Sequence, residues 1–120
     1  MKNEKSILVK KSYKFSLDII AFCQNLPKER VFWIISDQLL RSSTSIGANI
    51  IEGQSSSSKK DFARFFQIAL KSANESEYWI GLLIDSELTV DKVKLNILLA
   101  ELQEICRILA KSLLTMKNKG

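Results

Sequence analysis

The chain has 120 residues, of which 46% are hydrophobic, and a formal net charge of +5. This length fits one domain with its own core, and one Pro with four Gly is too few for an all-β protein, which needs turn residues between strands. The sequence contains no histidine, so the commonest general base and the commonest metal ligand are both missing. We therefore expect a helical protein with no catalytic residues, no metal and no cofactor.

The apolar runs of the sequence are short. The longest, residues 31–35 and 79–84, fall far below the roughly 18 residues that a membrane span requires. Glu4, Lys10 and Lys11 interrupt the N-terminal stretch before the apolar segment of a signal peptide can develop. We therefore expect a cytoplasmic protein that has no membrane partner. Cys23 and Cys106 lie singly on apolar faces, which is typical of small buried hydrophobic residues rather than of a disulfide or a ligand pair.

The first two helices are predicted over residues 6–24 and 27–53. In the first, apolar residues recur in steps of three and four once Ser12 is included, at Leu8, Phe15, Ile19 and Phe22. Pro27 is tolerated in the first turn of a helix, so the second helix is expected to begin there. Its own apolar stripe contains Phe32, Ile35, Leu39, Ile46 and Ile50.

The last two helices are predicted over residues 58–86 and 89–117, with Ser58 and Thr89 as N-caps. Asp61, three residues after Ser58, is positioned for a capping box. The apolar seam of the third helix is Phe62, Phe66, Ala69, Ala73, Ser76, Ile80 and Leu83. That of the fourth is Leu95, Leu98, Leu102, Ile105, Leu109, Leu113 and Met116. Four helices of similar length with short connections predict an all-α, up-down-up-down antiparallel four-helix bundle formed by residues 1–120.

The second helix carries small and polar residues between positions 38 and 53, where a packed helix normally has large apolar ones. We interpret Ser42, Ser45, Gly47 and Asn49 as a narrow face that packs closely on small residues of the third helix, which are Ala69, Ala73 and Ser76. A Ser hydroxyl or Glu75 is expected to satisfy the Asn49 amide. Glu52 and Gly53 are expected to end the helix.

Positive charge is concentrated at one end of the predicted bundle, where the N-terminus, the connection between helices 2 and 3 and the C-terminus meet. We call this end the basic pole. It has three acidic residues, Glu4, Glu52 and Asp61, against ten basic ones: Lys2, Lys5, Lys10, Lys11, Lys59, Lys60, Arg64, Lys111, Lys117 and Lys119. The candidate nucleic-acid-binding residues are Lys10, Lys11, Lys59, Lys60, Arg64 and Lys111. The alternative is that these lysines only keep the helix ends solvated.

Three features together resemble one protein family: Leu26–Pro27, the segment DQLLRSSTSIGANIIEG (37–53) and the segment SKKDFARFFQIALKSANESEY (58–78). The chain resembles the bacterial four-helix bundle proteins encoded within intervening sequences of 23S rRNA genes. The resemblance implies a homopentameric ring, and kinship with the accessory variability determinant protein of diversity-generating retroelements, which is associated with nucleic acid and a reverse transcriptase. It implies no settled activity. The structural motif residues are Arg41, Ser45, Gly47, Asn49, Glu52, Gly53 and Glu75.

This chain departs from the family pattern at three positions of the second helix. Ser42 and Ser43 follow the motif arginine, where family members often have two alanines, and Gly47 replaces a Pro or Ser. These departures leave the predicted fold unchanged but affect how the second helix packs.

Two non-catalytic functions are consistent with these observations. The first is an oligomer that binds RNA or DNA, with RNA favoured, through a basic pole repeated in every subunit. The second is an adaptor that docks a ribosomal or reverse-transcriptase partner through exposed aromatic anchors such as Tyr13, Trp33 or Trp79. Self-association is expected in either case, because apolar residues off the main seams need a second surface: Phe65, Leu70, Tyr78 and Trp79.

An enzyme is the least favoured reading. Glu75, Glu101 and Glu104 are spaced as the carboxylates of a di-metal bundle are, but such sites also use Glu-x-x-His pairs. Because the chain has no histidine, we expect these glutamates to be surface charges.

Overall fold

The computed structural model describes residues 4–118, which form four α-helices and, within that range, no strand. The helices are α1 (Glu4–Gln24), α2 (Arg30–Ser55), α3 (Lys59–Asp85) and α4 (Lys92–Asn118). Both α1 and α3 pack against α2 and α4, so the four helices occupy the corners of a square. The bundle measures 48 × 21 × 21 Å, and the prediction of an all-α four-helix protein is confirmed.

Contacts between helices establish that neighbours are antiparallel. Lys11 of α1 donates to Glu104 of α4, with 2.8 Å between Nζ and Oε1, whereas Lys14, about one turn later in α1, donates to Glu101, about one turn earlier in α4, at 3.3 Å. Likewise, Arg41 of α2 bonds Glu75 of α3, and Ser45, four residues later in α2, bonds Ser72, three residues earlier in α3, with 2.9 Å between hydroxyl oxygens. The starts of α1 and α3 therefore lie at the same end as the ends of α2 and α4, and this end is the basic pole.

The core contains the residues that the three-and-four spacing predicted. The seam of α3 is buried from Phe62 to Leu83, and α1 contributes its four predicted apolar residues. In α4 the buried seam ends at Leu109, and Leu113 and Met116 pack half-buried against it. Fully burying a Leu, Ile or Phe side chain contributes about 1.5–3 kcal/mol, so these apolar seams hold the four helices together.

Two predicted helix starts are wrong by three residues. The second helix begins at Arg30 and not at Pro27, because Leu26 packs against the core and the backbone is still extended at Glu29 (φ −126°, ψ 155°). The fourth begins at Lys92, since Leu88 and Val90 also pack against the core and keep that segment out of the helix.

The N-cap of α3 was predicted correctly, whereas that of α4 was not. Ser58 Oγ accepts the Asp61 N–H at 3.0 Å, as expected of an N-cap. In α4, Asp91 and not Thr89 is the capping residue, and its Oδ1 accepts the Lys94 N–H at 2.9 Å. Both caps satisfy backbone N–H groups that have no partner within their own helix.

Two further predictions concern the surface and the cysteines. None of the helices between residues 4 and 118 is long and apolar enough to cross a bilayer. Cys23 and Cys106 are half-buried free thiols, and burial raises the pKa of each to about 11. A thiol with so high a pKa is a poor nucleophile at neutral pH, which agrees with a packing role for both residues.

Candidate nucleic-acid interface

A cluster of serine hydroxyls joins α2 to α3 in the interior. Ser42, Ser43 and Ser76 are fully buried. The Ser42 and Ser76 hydroxyl oxygens lie 2.8 Å apart, and Ser43 Oγ donates to Ser76 Oγ at 3.3 Å. Ser76 also donates to the Ser72 carbonyl at 2.9 Å. Ser42 contacts Ser76 of the third helix, as predicted, whereas Ser45 pairs with Ser72, which the prediction did not include. These hydroxyl pairs allow the two backbones to approach closely.

Asn49 is satisfied within its own helix. Its Nδ2 donates to the Ser45 carbonyl at 2.8 Å and to Ser45 Oγ at 3.0 Å, and Ser45 Oγ in turn pairs with Ser72. Of the two expected partners, the serine hydroxyl is therefore right and Glu75 is wrong. Asn49 supports the contact between α2 and α3 indirectly, by orienting the Ser45 side chain.

Glu75 instead forms a polar network on the outer side of the same two helices. Its Oε2 accepts from Arg41 Nη2 and, at 3.1 Å, from Trp79 Nε1. Arg41 Nη2 also donates to Gln38 Oε1 at 2.9 Å. The hydrogen bond from Trp79 and the charge and hydrogen bond of Arg41 lower the pKa of Glu75. Arg41 and Glu75 thus connect α2 to α3 at the surface.

The two glycines of α2 face different neighbours. A Cβ at Gly47 would lie 3.2 Å from Ser12 Oγ of α1, so the prediction that Gly47 faces the third helix is wrong. Gly47 lies five residues after Ser42, about 140° further around the helix axis, so the two cannot share a face. A Cβ at Gly53 would lie 3.0 Å from Phe66 Cδ1.

The prediction that Glu52 and Gly53 end the second helix is also wrong. Helix α2 continues to Ser55, and Gly53 is buried inside it because the Phe66 ring occupies the space where a side chain would be. Glu52 is exposed beside a groove between α1 and α2. The glycine therefore marks a close approach of two helices and not a helix end.

The candidate phosphate-binding lysines of α3 are exposed at the basic pole. Lys59 and Lys60 are the first two residues of the helix, and neither forms an ion pair with the side chains described, those of residues 7–118. Lys10 on α1 is likewise exposed and outside any ion pair in that range. These three ammonium groups are open to solvent and accessible to an anionic ligand.

The other three candidates have different surroundings. Lys11 is paired with Glu104, and Arg64 lies 4.5 Å from the centre of the Phe65 ring and 3.7 Å from Asp61 Oδ1. Lys111 is an exposed residue of α4. The six candidates therefore share one end of the bundle but do not form one cluster. Lys2 and Lys119 lie outside the described residues.

A groove between α3 and α4 brings Lys117, which was not among the six candidate binding residues, next to the candidate lysines of α3. Lys59 and Lys60 line it together with Lys117, near the end of α4. The rest of the lining includes Ala63 and Leu70. One signal for this groove in the sequence was Leu70, an apolar residue outside the predicted seam of its helix.

The glutamates of the enzyme hypothesis lie on two different sides of the bundle. Glu75 faces α2, whereas Glu101 and Glu104 accept from Lys14 and Lys11 of α1 at 3.3 Å and 2.8 Å. Among the side chains that the structure describes, those of residues 7–118, no three from Cys, Asp or Glu are grouped so that they could hold a metal ion.

The sequence and the structure both match known proteins of one family. The family model described as "23S rRNA-intervening sequence protein" matches residues 4–111. Comparison with curated proteins gives no significant match. A crystal structure of a protein of unknown function from Bacteroides thetaiotaomicron, assigned to the S23 ribosomal protein family, is 35% identical. It aligns over 92% of this chain and 98% of its own, with a TM-score of 0.85. The chain therefore belongs to the 23S rRNA-intervening sequence protein family.

Proposed function

We propose that this protein is a cytoplasmic, non-catalytic homo-oligomer that binds RNA through the basic pole of each subunit. The observation that carries the proposal is the placement of Lys59 and Lys60, which are exposed on the first turn of α3 and unpaired within the described residues. Phosphate groups favour such positions, because side-chain ammonium groups lie beside the N–H groups of a helix start.

The contrast with the middle of the bundle supports this proposal. There, two cations are held by carboxylates: Lys14 by Asp18 and Glu101, and Arg41 by Glu75. Charges neutralised in this way contribute little to the attraction of a polyanion. At the basic pole, Lys59 and Lys60 of α3 have no such partner among the described residues, so phosphate binding there would release counterions.

Exposed large apolar residues on three helices support self-association. On α1 and α2 they include Tyr13, Leu17, Ile20, Trp33, Ile34 and Ile51, and on α3 they include Ile68, Tyr78 and Leu82. A closed ring of more than two copies needs two different patches on each subunit. The number five follows from the family resemblance, and a ring multiplies the phosphate contacts of one weak site.

The choice of RNA is supported by the names of the relatives, which refer to 23S rRNA and to a ribosomal protein family. The absence of histidine from the sequence supports the proposal that the protein is not an enzyme. We propose no cofactor for the same reason.

A titration of fluorescently labelled structured RNA at several salt concentrations tests the proposal. We expect binding at low salt that weakens steeply as salt is added, and weaker binding to a DNA duplex of the same sequence. Absence of detectable RNA binding at low salt would overturn the proposal. Light scattering on the same sample tests the assembly, and a monomer at micromolar concentration would contradict it.

A second candidate is an adaptor for a ribosomal or reverse-transcriptase partner, and two exposed aromatic residues favour it. Tyr13 is 68% exposed and Trp33 61% exposed, which is unusual for such large amphipathic side chains on a monomer surface. Trp79 does not serve as an anchor in this way, because it is half-buried and its Nε1 is bound to Glu75. Partners retained from an extract after nuclease treatment, and lost in a Tyr13→Ser/Trp33→Ser variant, would favour this function.

A further inference from the structure

The groove between α3 and α4 has an apolar interior. Its volume is about 690 Å³. Leu70, Leu113 and Met116 line it and also pack against the core, so its base is fixed by the fold. Leu114 stands at its edge with 60% of its surface exposed. This apolar surface is unoccupied in the monomer, and burying it would stabilise a complex.

The charged residues around this groove all have the same sign. Lys59, Lys60 and Lys117 line it, and Gln67 is the remaining polar residue. Among the described residues, no Asp or Glu lines it. A complementary partner therefore needs apolar groups for the base of the groove and negative charges for its edges.

The dimensions of the groove match a helix. On α3 the lining extends from Lys59 to Leu70, which is about 16 Å or three helical turns. Ala63 on α3 and Ala110 on α4 are small residues in the lining, so a third helix can approach both backbones closely. The groove is open along one side, as the exposure of Leu114 indicates, and a single acyl chain would stay largely in water there.

We propose that this groove binds an acidic amphipathic helix of a partner protein. Apolar side chains spaced i, i+3 or i+4, and i+7 would contact Leu70, Leu113 and Leu114, and carboxylates on the flanks of that stripe would pair with Lys59, Lys60 and Lys117. The proposal does not depend on RNA binding. Helix binding would nevertheless affect RNA binding, because the partner helix and RNA use the same two lysines of α3 and therefore compete.

The test uses a fluorescein-labelled peptide of about 14 residues, long enough for four turns, with leucines at i, i+3, i+7 and i+10 and glutamates flanking them. A control peptide keeps the leucines and replaces every glutamate by lysine. Fluorescence anisotropy should show micromolar binding of the acidic peptide and binding of the basic peptide at least about tenfold weaker. The acidic peptide should also displace bound RNA.

Two variants separate the apolar and charged contributions. Leu114→Gln should weaken peptide binding about fivefold and leave RNA binding unchanged, because the residue contributes apolar area to the groove and no charge. Its matched control is Val93→Gln on the same helix, a residue that is 74% exposed and does not line the groove. Lys59→Gln/Lys60→Gln should weaken the binding of both the acidic peptide and RNA.

The outcomes distinguish this inference from the proposed function. Peptide binding with no RNA binding would leave the inference standing and remove the RNA proposal, and the reverse result would remove the inference alone. Equal binding of the acidic and basic peptides, or no effect of Leu114→Gln, would overturn the inference. So would dissociation of the oligomer by the peptide, which would assign the groove to a second copy, or saturable binding of anionic vesicles in place of the peptide.

Discussion

Replacing Gly53 by alanine adds one methyl group where α2 packs against the side chains of Phe65 and Phe66 of α3. The new Cβ would lie 3.0 and 3.1 Å from two ring carbons of Phe66 and 3.2 Å from Phe65 Cβ. The Phe66 ring cannot turn away easily, because it is fully buried and stacked on Phe62 with 4.3 Å between ring centres. The methyl group must therefore push the two helices apart.

Two opposing terms decide the sign of the effect. Alanine favours a helix interior over glycine by about 1 kcal/mol, whereas overpacking a core costs about 1–3 kcal/mol. We expect a net loss of about 1 kcal/mol in the free energy of unfolding. Gly81→Ala is the matched control, since nothing lies within 4 Å of a Cβ at that helical position. It should stabilise the protein by about 0.5–1 kcal/mol.

Urea denaturation followed by circular dichroism measures both variants, with protein concentration held constant because assembly contributes to stability. The midpoint should fall for Gly53→Ala and rise for Gly81→Ala. If Gly53→Ala is as stable as the wild type while Gly81→Ala behaves as expected, Gly53 does not mark a close contact between α2 and α3.

Two further predictions concern the polar contacts. Ser76→Ala should destabilise the protein by about 1 kcal/mol in the same assay, because the buried Ser43 hydroxyl loses its partner. The triple variant Ser42→Ala/Ser43→Ala/Ser76→Ala should recover most of this loss, because it leaves no hydroxyl of the cluster unpaired. A triple variant less stable than the single variant would contradict this prediction. A hydrogen bond from Trp79 and the hydrogen bond and charge of Arg41 lower the pKa of Glu75, and the hydrogen bond and charge of Lys11 lower the pKa of Glu104, below the usual 4.5. The stability that these two glutamates contribute is therefore present above pH 4.5 and is lost as the pH falls through their lowered pKa values in the folded protein. The urea concentration at the unfolding midpoint should be lower at about pH 3 than at about pH 6, and this difference should be smaller in Glu75→Gln/Glu104→Gln. An equal difference in both proteins would show that these two glutamates do not cause the loss of stability.

The apolar spacing of the sequence was sufficient to predict the bundle. Helix α3 shows why: its seam from Phe62 to Leu83 keeps one face apolar for six turns, and only a helix in a bundle buries such a stripe. The helix starts were harder to predict, because Leu26, Leu88 and Val90 are apolar residues of connections and their contacts with the core depend on how the chain crosses the end of the bundle.

The details of the candidate site were only partly predictable. Small residues of α2 indicated close packing, but the neighbour of each depends on its angle around the helix, which separates Gly47 from Ser42. The charge imbalance of the basic pole could be counted from the sequence. The sequence could not show which lysines stay unpaired, because Lys11 contacts its partner Glu104 only when α1 and α4 pack together.

The salt dependence of RNA binding tests the central proposal most directly. On single-stranded RNA each neutralised phosphate contributes about 0.7 to the slope of log affinity against log salt, so Lys59→Gln/Lys60→Gln should reduce that slope by about 1.4 for every subunit in contact. The matched control is Lys28→Gln/Arg30→Gln, which removes the same charge from two exposed residues where α2 begins, at the opposite end of the bundle. We predict a reduced slope for the first variant and an unchanged slope for the second. Equal slopes in both variants would show that RNA does not bind at the basic pole.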